Sequence, residues 1–224
     1  MEERPQCAEC QRTVCYSEYF DQGPEFCPTK TKADVIEKAL ARYGDPQFSE
    51  FAGIASKVEG EGYMRLPLGR APSPVATRVE EIINFSKKMG YRKLGIAFCI
   101  GLRNEARTFA SILENRGFEV VSVCCKVGGV PKESIGIEDE EKITPGSYES
   151  MCNPIAQAEI LNDAGCDFNI AVGLCVGHDS LFLRHVKALT TVLIAKDRVF
   201  AHNPAAALYQ STAYYRRLLA REEG

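Results

Sequence analysis

The sequence predicts an α/β protein in which a mostly parallel sheet carries helices on both faces, preceded by a small cysteine-rich metal knuckle and two helices. Near-continuous apolar segments, such as KLGIAFC (93–99) and DFNIAVGLC (167–175), alternate with helical patterns from residue 73 onward. Four cysteines fall within the first 30 residues, where apolar periodicity is weak. The predicted divisions are a Cys₄ knuckle (1–30), a helical segment and linker (31–72), and an α/β domain (73–224).

Two helices are predicted between the knuckle and the α/β domain. The first lies in TKADVIEKALARYG, with Thr31 and Asp34 at capping-box positions. The second begins at Pro46, where apolar residues recur at helical spacing. A loop rich in Gly and Pro then leads to a helix for which Ser73 is the expected N-cap and Pro74 the first helical residue.

The α/β domain is predicted to contain four strands, at 93–99, 118–124, 167–175 and 191–196. Helices are expected at 103–116, 154–163 and 179–189, followed by a final helix that starts at Asn203 and Pro204. In a parallel sheet joined by right-handed crossovers, every strand brings its carboxyl end to the same edge, and ligands gather there. We call this edge the rim.

Five cysteines are expected at the rim: Cys99, Cys124, Cys125, Cys152 and Cys175. All of them end a predicted strand except Cys152, which comes just before the helix at 154–163. Neighbouring strands lie about 4.8 Å apart, so thiols at adjacent strand ends can reach one metal centre. Soft thiolates select zinc, copper(I) or iron–sulfur clusters, and clusters are usually held by four of them. The sequence therefore predicts a cluster of the 4Fe–4S kind, with at least one of Cys124 and Cys125 as a ligand.

Two other side chains near the rim are candidates for a catalytic or binding role. His178 follows Cys175 at the start of a helix, where an imidazole acts as a ligand, a proton donor or a partner of a ligand. Lys196 ends the last strand and is placed to bind an anionic group or to tune the potential of a cluster. Simple packing or a solvated turn is the alternative for these two, and burial as a small hydrophobe is the alternative for any single cysteine. Cys166, at the start of a strand, is expected to be structural.

The N-terminal cysteines form a second candidate site. Cys7 and Cys10 make a C-x-x-C pair that provides a chelating bite, and Cys15 and Cys27 complete a tetrahedral Cys₄ set. A zinc knuckle and an iron–sulfur cluster are both compatible with this spacing, since a closing Cys-Pro also occurs in ferredoxin-type runs.

Composition excludes several classes of partner. The formal net charge is −3 and the isoelectric point is about 5.8, which gives no electrostatic footprint for nucleic acid or an anionic membrane. No run of about 18 apolar residues and no N-terminal apolar signal region occur, so we expect a cytoplasmic protein whose thiols stay reduced. Neither G-x-G-x-x-G nor a Walker A pattern is present.

The segments CAEC, FCPTK, AFCIGLRNEA, VCCKVGG, CNPIAQAEILN and GLCVGHDSLF resemble those of DUF1847, a family of uncharacterised metal-binding proteins found in archaea and anaerobic bacteria. The resemblance runs along nearly the whole chain, and GLCVGHDSLF is its most particular segment. It implies a metal-binding role without an assigned reaction or substrate.

Two functions follow as expectations. The first is a metalloprotein with an N-terminal Cys₄ site and a rim cluster that serves redox chemistry or electron transfer, in contact with a redox partner protein. The second is a zinc-knuckle structural, interaction or metal-handling protein whose inner cysteines only pack. Whether the chain is an enzyme stays open, and a nucleophilic thiolate at Cys152, as in a hydrolase or transferase, is a third alternative.

Overall fold

The computed structural model describes residues 4–67 and 70–221. Outside this part lie residues 1–3 of the predicted knuckle, residues 68–69 of the predicted linker and residues 222–224 of the predicted α/β domain. The chain divides into two compact units, Met1–Gly60 and Glu61–Gly224.

The first unit opens with three single-turn 3₁₀ helices, at Cys7–Glu9, Val14–Tyr16 and Phe20–Gln22. Three α-helices follow: α1 (Pro28–Thr31), α2 (Ala33–Ala41) and α3 (Pro46–Glu61). The predicted capping box at Thr31 and Asp34 is wrong. Lys32 takes the N-cap position of α2 without a side-chain capping hydrogen bond, and the Thr31 hydroxyl donates to the Cys27 carbonyl at 3.2 Å.

The second unit begins with a short antiparallel hairpin of β1 (Tyr63–Met64) and β2 (Ser73–Pro74). The expected helix start at Ser73 and Pro74 is therefore wrong. The helix, α4 (Arg78–Lys88), begins after Thr77, whose hydroxyl accepts from the Glu80 N–H at 3.3 Å. The Glu80 carboxylate in turn accepts from the Thr77 N–H at 2.7 Å, which completes a capping box. Residue preferences alone do not distinguish Thr77 from Ser73 as the N-cap, because both residue types favour this position.

Four parallel strands form the main sheet: β3 (Lys93–Phe98), β4 (Glu119–Cys124), β5 (Phe168–Val172) and β6 (Thr190–Ile194). Their order is β4-β3-β5-β6, which confirms the predicted parallel α/β fold. The connecting helices are α5 (Arg103–Glu114), α6 (Pro154–Asp163) and α7 (His178–His185). The expected final helix is reduced to α8 (Ala205–Tyr209) and a 3₁₀ turn at Arg216–Leu219.

Helices cover both faces of this sheet. On one face, Leu161 of α6 and Phe182 of α7 pack in a single buried cluster with Ala97 and Ala171 of the strands. On the opposite face, the ring of Phe85 from α4 lies 5.5 Å from the ring of Phe168, measured between centroids. Successive strand residues point to opposite faces of the sheet. If β3 and β4 are extended by one more residue, the side chains of residues 99 and 125 therefore point to the face that α6 covers.

Candidate functional site

Strand β3 and its two neighbours, β4 and β5, end at the same level at the rim. Phe98 pairs with Cys124 on one side and with Val172 on the other, and these are the last paired residues of β3. The backbone continues the pairing for one more residue, since Cys99 N–H donates to the Val172 carbonyl at 3.1 Å and Cys125 N–H donates to the Phe98 carbonyl at 2.8 Å. Cys99 and Cys125 are thus adjacent, and both belong to the buried cluster under α6.

A long connection brings Cys152 back beside Cys125. The segment between β4 and α6 leaves the rim and returns, and the Asn153 N–H then donates to the Cys125 carbonyl at 2.7 Å. The Lys126 ammonium also donates to the Ser150 carbonyl at 2.6 Å, so the outgoing and returning chains are tied together. Three segments that are far apart in sequence therefore deliver cysteines to one place.

Ion pairs hold the connection in this shape. The Lys142 side chain is 5% exposed and lies 2.8 Å from Asp139 and 2.5 Å from Glu133. These two carboxylates raise the pKa of Lys142, Asp139 having the larger effect. Lys132 pairs with Glu149 at 2.5 Å, close to where the chain returns to the rim. A long loop without such contacts would not fix the position of Cys152.

Cys99, Cys125 and Cys152 form what we call the rim thiol cluster. The Cys125 thiol is in hydrogen-bonding contact with the sulfurs of both Cys152 and Cys99, and its single S–H can donate to one of them at a time. The Cys125 sulfur also accepts a hydrogen bond from the Ile100 N–H at 3.3 Å, and the residue is only 2% exposed. Hydrogen bonding with Cys125 lowers the pKa of Cys99 to about 4 and that of Cys152 to about 5. The same two contacts, together with burial, raise the pKa of Cys125. Cys99 and Cys152 are consequently the two more acidic members of the cluster, and Cys125 is the least acidic.

Basic side chains lie near Cys99 and Cys152. The Lys196 ammonium lies 3.3 Å from the Cys99 sulfur and, with the Gly101 N–H, adds to the lowering of the Cys99 pKa. Lys126 and His178 act in the same direction on the pKa of Cys152. Nearby positive charge favours a thiolate over a thiol, which is the form that binds metals and attacks electrophiles. Of the two sequence candidates, Lys196 thus contacts the cluster directly, and His178 influences it through space.

Gln157 was not identified from the sequence, although it lies directly beneath the cluster. Its buried amide donates to the Val123 carbonyl at 2.7 Å and to the Phe98 carbonyl at 3.2 Å. These carbonyls belong to the ends of β4 and β3, so one side chain of α6 fastens together the two strands that carry Cys125 and Cys99. A glutamine within a helical pattern gives no sequence signal for this role.

The other cysteines of the α/β domain lie in different surroundings. Strand β5 ends at Val172 rather than at Cys175, and the Cys175 sulfur accepts a hydrogen bond from the Arg198 guanidinium at 3.0 Å. Cys124 is half-buried and packs against the edge of the core. Cys166 is buried just before β5, at the opposite end of the sheet, where burial raises its pKa.

The N-terminal cysteines differ widely in exposure. Cys7 and Cys15 are exposed, Cys10 is half-buried and Cys27 is buried. The Cys10 N–H donates to the Cys7 carbonyl at 3.1 Å, so the C-x-x-C pair forms a turn. Hydrogen bonds from the side chain and backbone of Thr29 lower the pKa of Cys27.

Neither set of cysteines forms a closed metal site in the side-chain positions seen. Across residues 4–67 and 70–221, no group of three or more His, Cys, Asp or Glu side chains is arranged to hold a metal ion. The two ligand sets expected from the sequence remain predictions.

The fold and the rim thiol cluster define a parallel α/β protein with a cysteine-lined carboxyl edge. Residues 27–193 match the model of a family described as "Protein of unknown function (DUF1847)", and the chain belongs to this family. It is 45% identical over 213 residues to the uncharacterized protein MJ0455 of Methanocaldococcus jannaschii, a match that covers 95% of this chain and 97% of that one.

Among solved structures, two crystal structures of Dph2 from Pyrococcus horikoshii, one of them with a 4Fe-4S cluster, are similar to 64% of this chain at 19% identity. The TM-scores are 0.33 for the first and 0.34 for the structure with the cluster. The match spans about a third of the Dph2 chain, 33% in one case and 34% in the other. Among the helices within the described residues, none is long and apolar enough to span a membrane.

Proposed function

We propose that the rim thiol cluster binds an iron–sulfur cluster, of the 4Fe–4S kind, and that the protein uses it in redox chemistry or electron transfer. The observation that carries this proposal is the meeting of Cys99, Cys125 and Cys152 from three separate segments at the carboxyl edge of a parallel sheet. This edge is where ligands bind in open α/β sheets.

The donor set suits a soft metal centre. Cysteine binds metal as the thiolate, and the surroundings of Cys99 and Cys152 favour this form, since they lower the pKa values to about 4 and about 5. Cys125 would release its proton when the centre forms. Since the described side chains do not already surround a metal ion, binding requires the three thiols to turn from one another toward the centre.

Positive charge near the thiolates supports the same role. Thiolate-ligated clusters carry negative charge, and the reduction potential depends on net charge, hydrogen bonds to sulfur and solvent exposure. Lys196 lies against Cys99 and Lys126 lies near Cys152, so both offset that charge. When bound, the cluster supplies one-electron transfer; these lysines would set how readily an electron is accepted.

Anaerobic purification followed by iron and acid-labile sulfide analysis tests this proposal. We expect iron and sulfide in nearly equal amounts, with broad visible absorption. Cys152→Ser should remove most of both, whereas Cys166→Ser, which changes a buried cysteine at the other end of the sheet, should retain them. A colourless protein that contains zinc as its only metal, or equal iron in the two variants, would contradict the proposal.

We also propose a separate zinc site in the N-terminal segment, formed by Cys7, Cys10, Cys15 and Cys27. It is supported by the turn that joins Cys7 to Cys10 and by the buried, pKa-lowered Cys27, because a thiolate is the ligand form. Cys7→Ser should lose about one zinc per chain and the control Ser17→Ala should keep it. If zinc were the only metal in the protein, the alternative of a zinc-knuckle structural or interaction protein would be favoured.

A further inference from the structure

His178 has a buried ring nitrogen without a partner. It is the first residue of α7, and its backbone N–H donates to the Cys175 carbonyl at 3.0 Å. The Nδ1 atom of its imidazole is inaccessible to solvent and makes no hydrogen bond within the described structure. Buried polar groups are normally satisfied, so such an atom requires an explanation.

The packing of two helices places the start of α7, where His178 lies, at the rim beside the start of α6. Asn162, near the end of α6, donates to the His185 carbonyl at 3.0 Å and accepts from the Lys187 N–H at 2.8 Å, at the end of α7. The two helices therefore run side by side in the same direction, with their N-termini together at the rim. The start of α6 follows Cys152, and the start of α7 is His178.

The core contact of α7 agrees with this placement. His178 and Phe182 are four residues apart and therefore share one face of α7, and Phe182 is fully buried in the cluster that also contains Cys99 and Cys125. The other cysteine in this neighbourhood, Cys175, has its sulfur engaged by Arg198. Three cysteines and one unpartnered imidazole are thus the candidate donors at this part of the rim, and they would have to turn toward a common centre, since no such group is already arranged among the described residues.

We propose that His178 is the fourth ligand of the rim metal centre, bound through Nδ1. Imidazole is a good ligand for iron and zinc, and histidine replaces cysteine on one iron of Rieske clusters. A set of three cysteines and one histidine would complete the four ligands that a cluster usually requires, and it would give the unpaired Nδ1 atom a partner. This inference rests on the proposed function of the rim thiol cluster.

Nitrogen hyperfine spectroscopy tests the ligand directly. The chain has three histidines, so labelling with ¹⁵N-histidine marks few sites, and the reduced, anaerobically purified protein can be examined by pulsed EPR. We expect coupling to one strongly bound nitrogen that changes with the label. It should disappear in His178→Ala and persist in His185→Ala, which changes the other end of the same helix.

His178→Cys is a second variant that separates ligation from packing. It should keep iron and sulfide, lose the nitrogen coupling, and lower the reduction potential, because an anionic thiolate replaces a neutral imidazole. His202→Ala is a further control, since His202 Nδ1 already accepts from the Asp197 N–H at 3.2 Å.

The two proposals fail in different ways. A cluster without strongly coupled nitrogen, or with coupling that survives His178→Ala, would overturn His178 as a ligand and leave the cluster itself in place. Loss of the cluster in Cys175→Ala together with its retention in His178→Ala would assign the fourth position to Cys175. A wild-type protein without iron and sulfide would overturn both proposals.

Discussion

The chain contains two sets of cysteines in contrasting surroundings. Cys99 and Cys125 follow the ends of neighbouring strands and belong to the buried core cluster, and Cys152 packs against it, so the fold itself brings the three together. The N-terminal cysteines lie among 3₁₀ turns in which Cys7 and Cys15 are exposed and the three turns contain no buried residue. The difference teaches that a fold can prepare thiols before a ligand arrives, whereas a segment without a core depends on the ligand for its order.

Core substitutions should give the largest difference between the two units. Phe182 is fully buried between α7 and the sheet, and we expect Phe182→Ala to lower the free energy of unfolding by about 3–5 kcal/mol. Leu40 of α2 is 62% exposed, so Leu40→Ala should change it by less than about 0.5 kcal/mol. Urea denaturation followed by circular dichroism measures both, and similar losses would mean that α2 contributes a core of its own.

Removal of the amide beneath the rim thiol cluster should have a smaller effect. Gln157→Leu takes the donor away from the carbonyls of Phe98 and Val123, which should cost about 1–3 kcal/mol of unfolding free energy. The control Gln47→Leu, at the exposed start of α3, should be nearly neutral. Unchanged stability and unchanged metal content in Gln157→Leu would show that the two hydrogen bonds from Gln157 are not needed to hold the ends of β3 and β4 in place.

The reactivity of Cys152 should depend on its neighbour. With a pKa of about 5, Cys152 in the metal-free protein remains a thiolate at neutral pH and becomes unreactive as the pH falls through about 5. Cys125→Ala removes the hydrogen bond that contributes most to this lowering, so the pKa should rise. A rise of about two units would reduce alkylation at roughly pH 6 by about tenfold.

The rate of alkylation by iodoacetamide as a function of pH, with mass spectrometry to locate the label, measures this change. Cys166→Ala should leave the profile of Cys152 where it is, since Cys166 lies at the other end of the sheet. An identical profile in Cys125→Ala would contradict the hydrogen-bonded arrangement of the three sulfurs.

Helix capping should give the smallest contrast. Thr77→Ala breaks the capping box of α4 and should destabilise the protein by about 1 kcal/mol. Thr31→Ala should cost less than about 0.5 kcal/mol, because the Thr31 hydroxyl does not cap α2. Thermal denaturation distinguishes the two, and a larger loss for Thr31→Ala would restore the sequence-based assignment of the cap.

The parallel sheet could be predicted because its strands are apolar runs of β-forming residues separated by helical patterns, as in KLGIAFC. The start of α4 could not be located, since Ser73 with Pro74 and Thr77 with Glu80 are both good N-terminal signals. Pairing of Ser73 and Pro74 with Tyr63 and Met64 decides between them.

The sequence could predict which cysteines lie near the strand ends, but not how their side chains are arranged. Strand alternation could not say whether Cys124 or Cys125 faces the other thiols, because that depends on where the ladder ends. Cys175 was expected at a strand end, but β5 stops at Val172, and the turn that follows presents the Cys175 sulfur to Arg198. Contacts such as that of Gln157 with two strand ends arise only from long-range packing, which leaves no local pattern.

The most direct measurement is the iron, sulfide and zinc content of two multiple variants, each checked for folding by circular dichroism. One carries Cys99→Ser, Cys125→Ser and Cys152→Ser, and the other carries Cys7→Ser, Cys10→Ser, Cys15→Ser and Cys27→Ser. The rim variant should lose iron and sulfide but keep zinc, and the N-terminal variant should lose zinc but keep iron and sulfide. Retention of iron and sulfide by the rim variant would contradict the assignment of the cluster to the sheet edge.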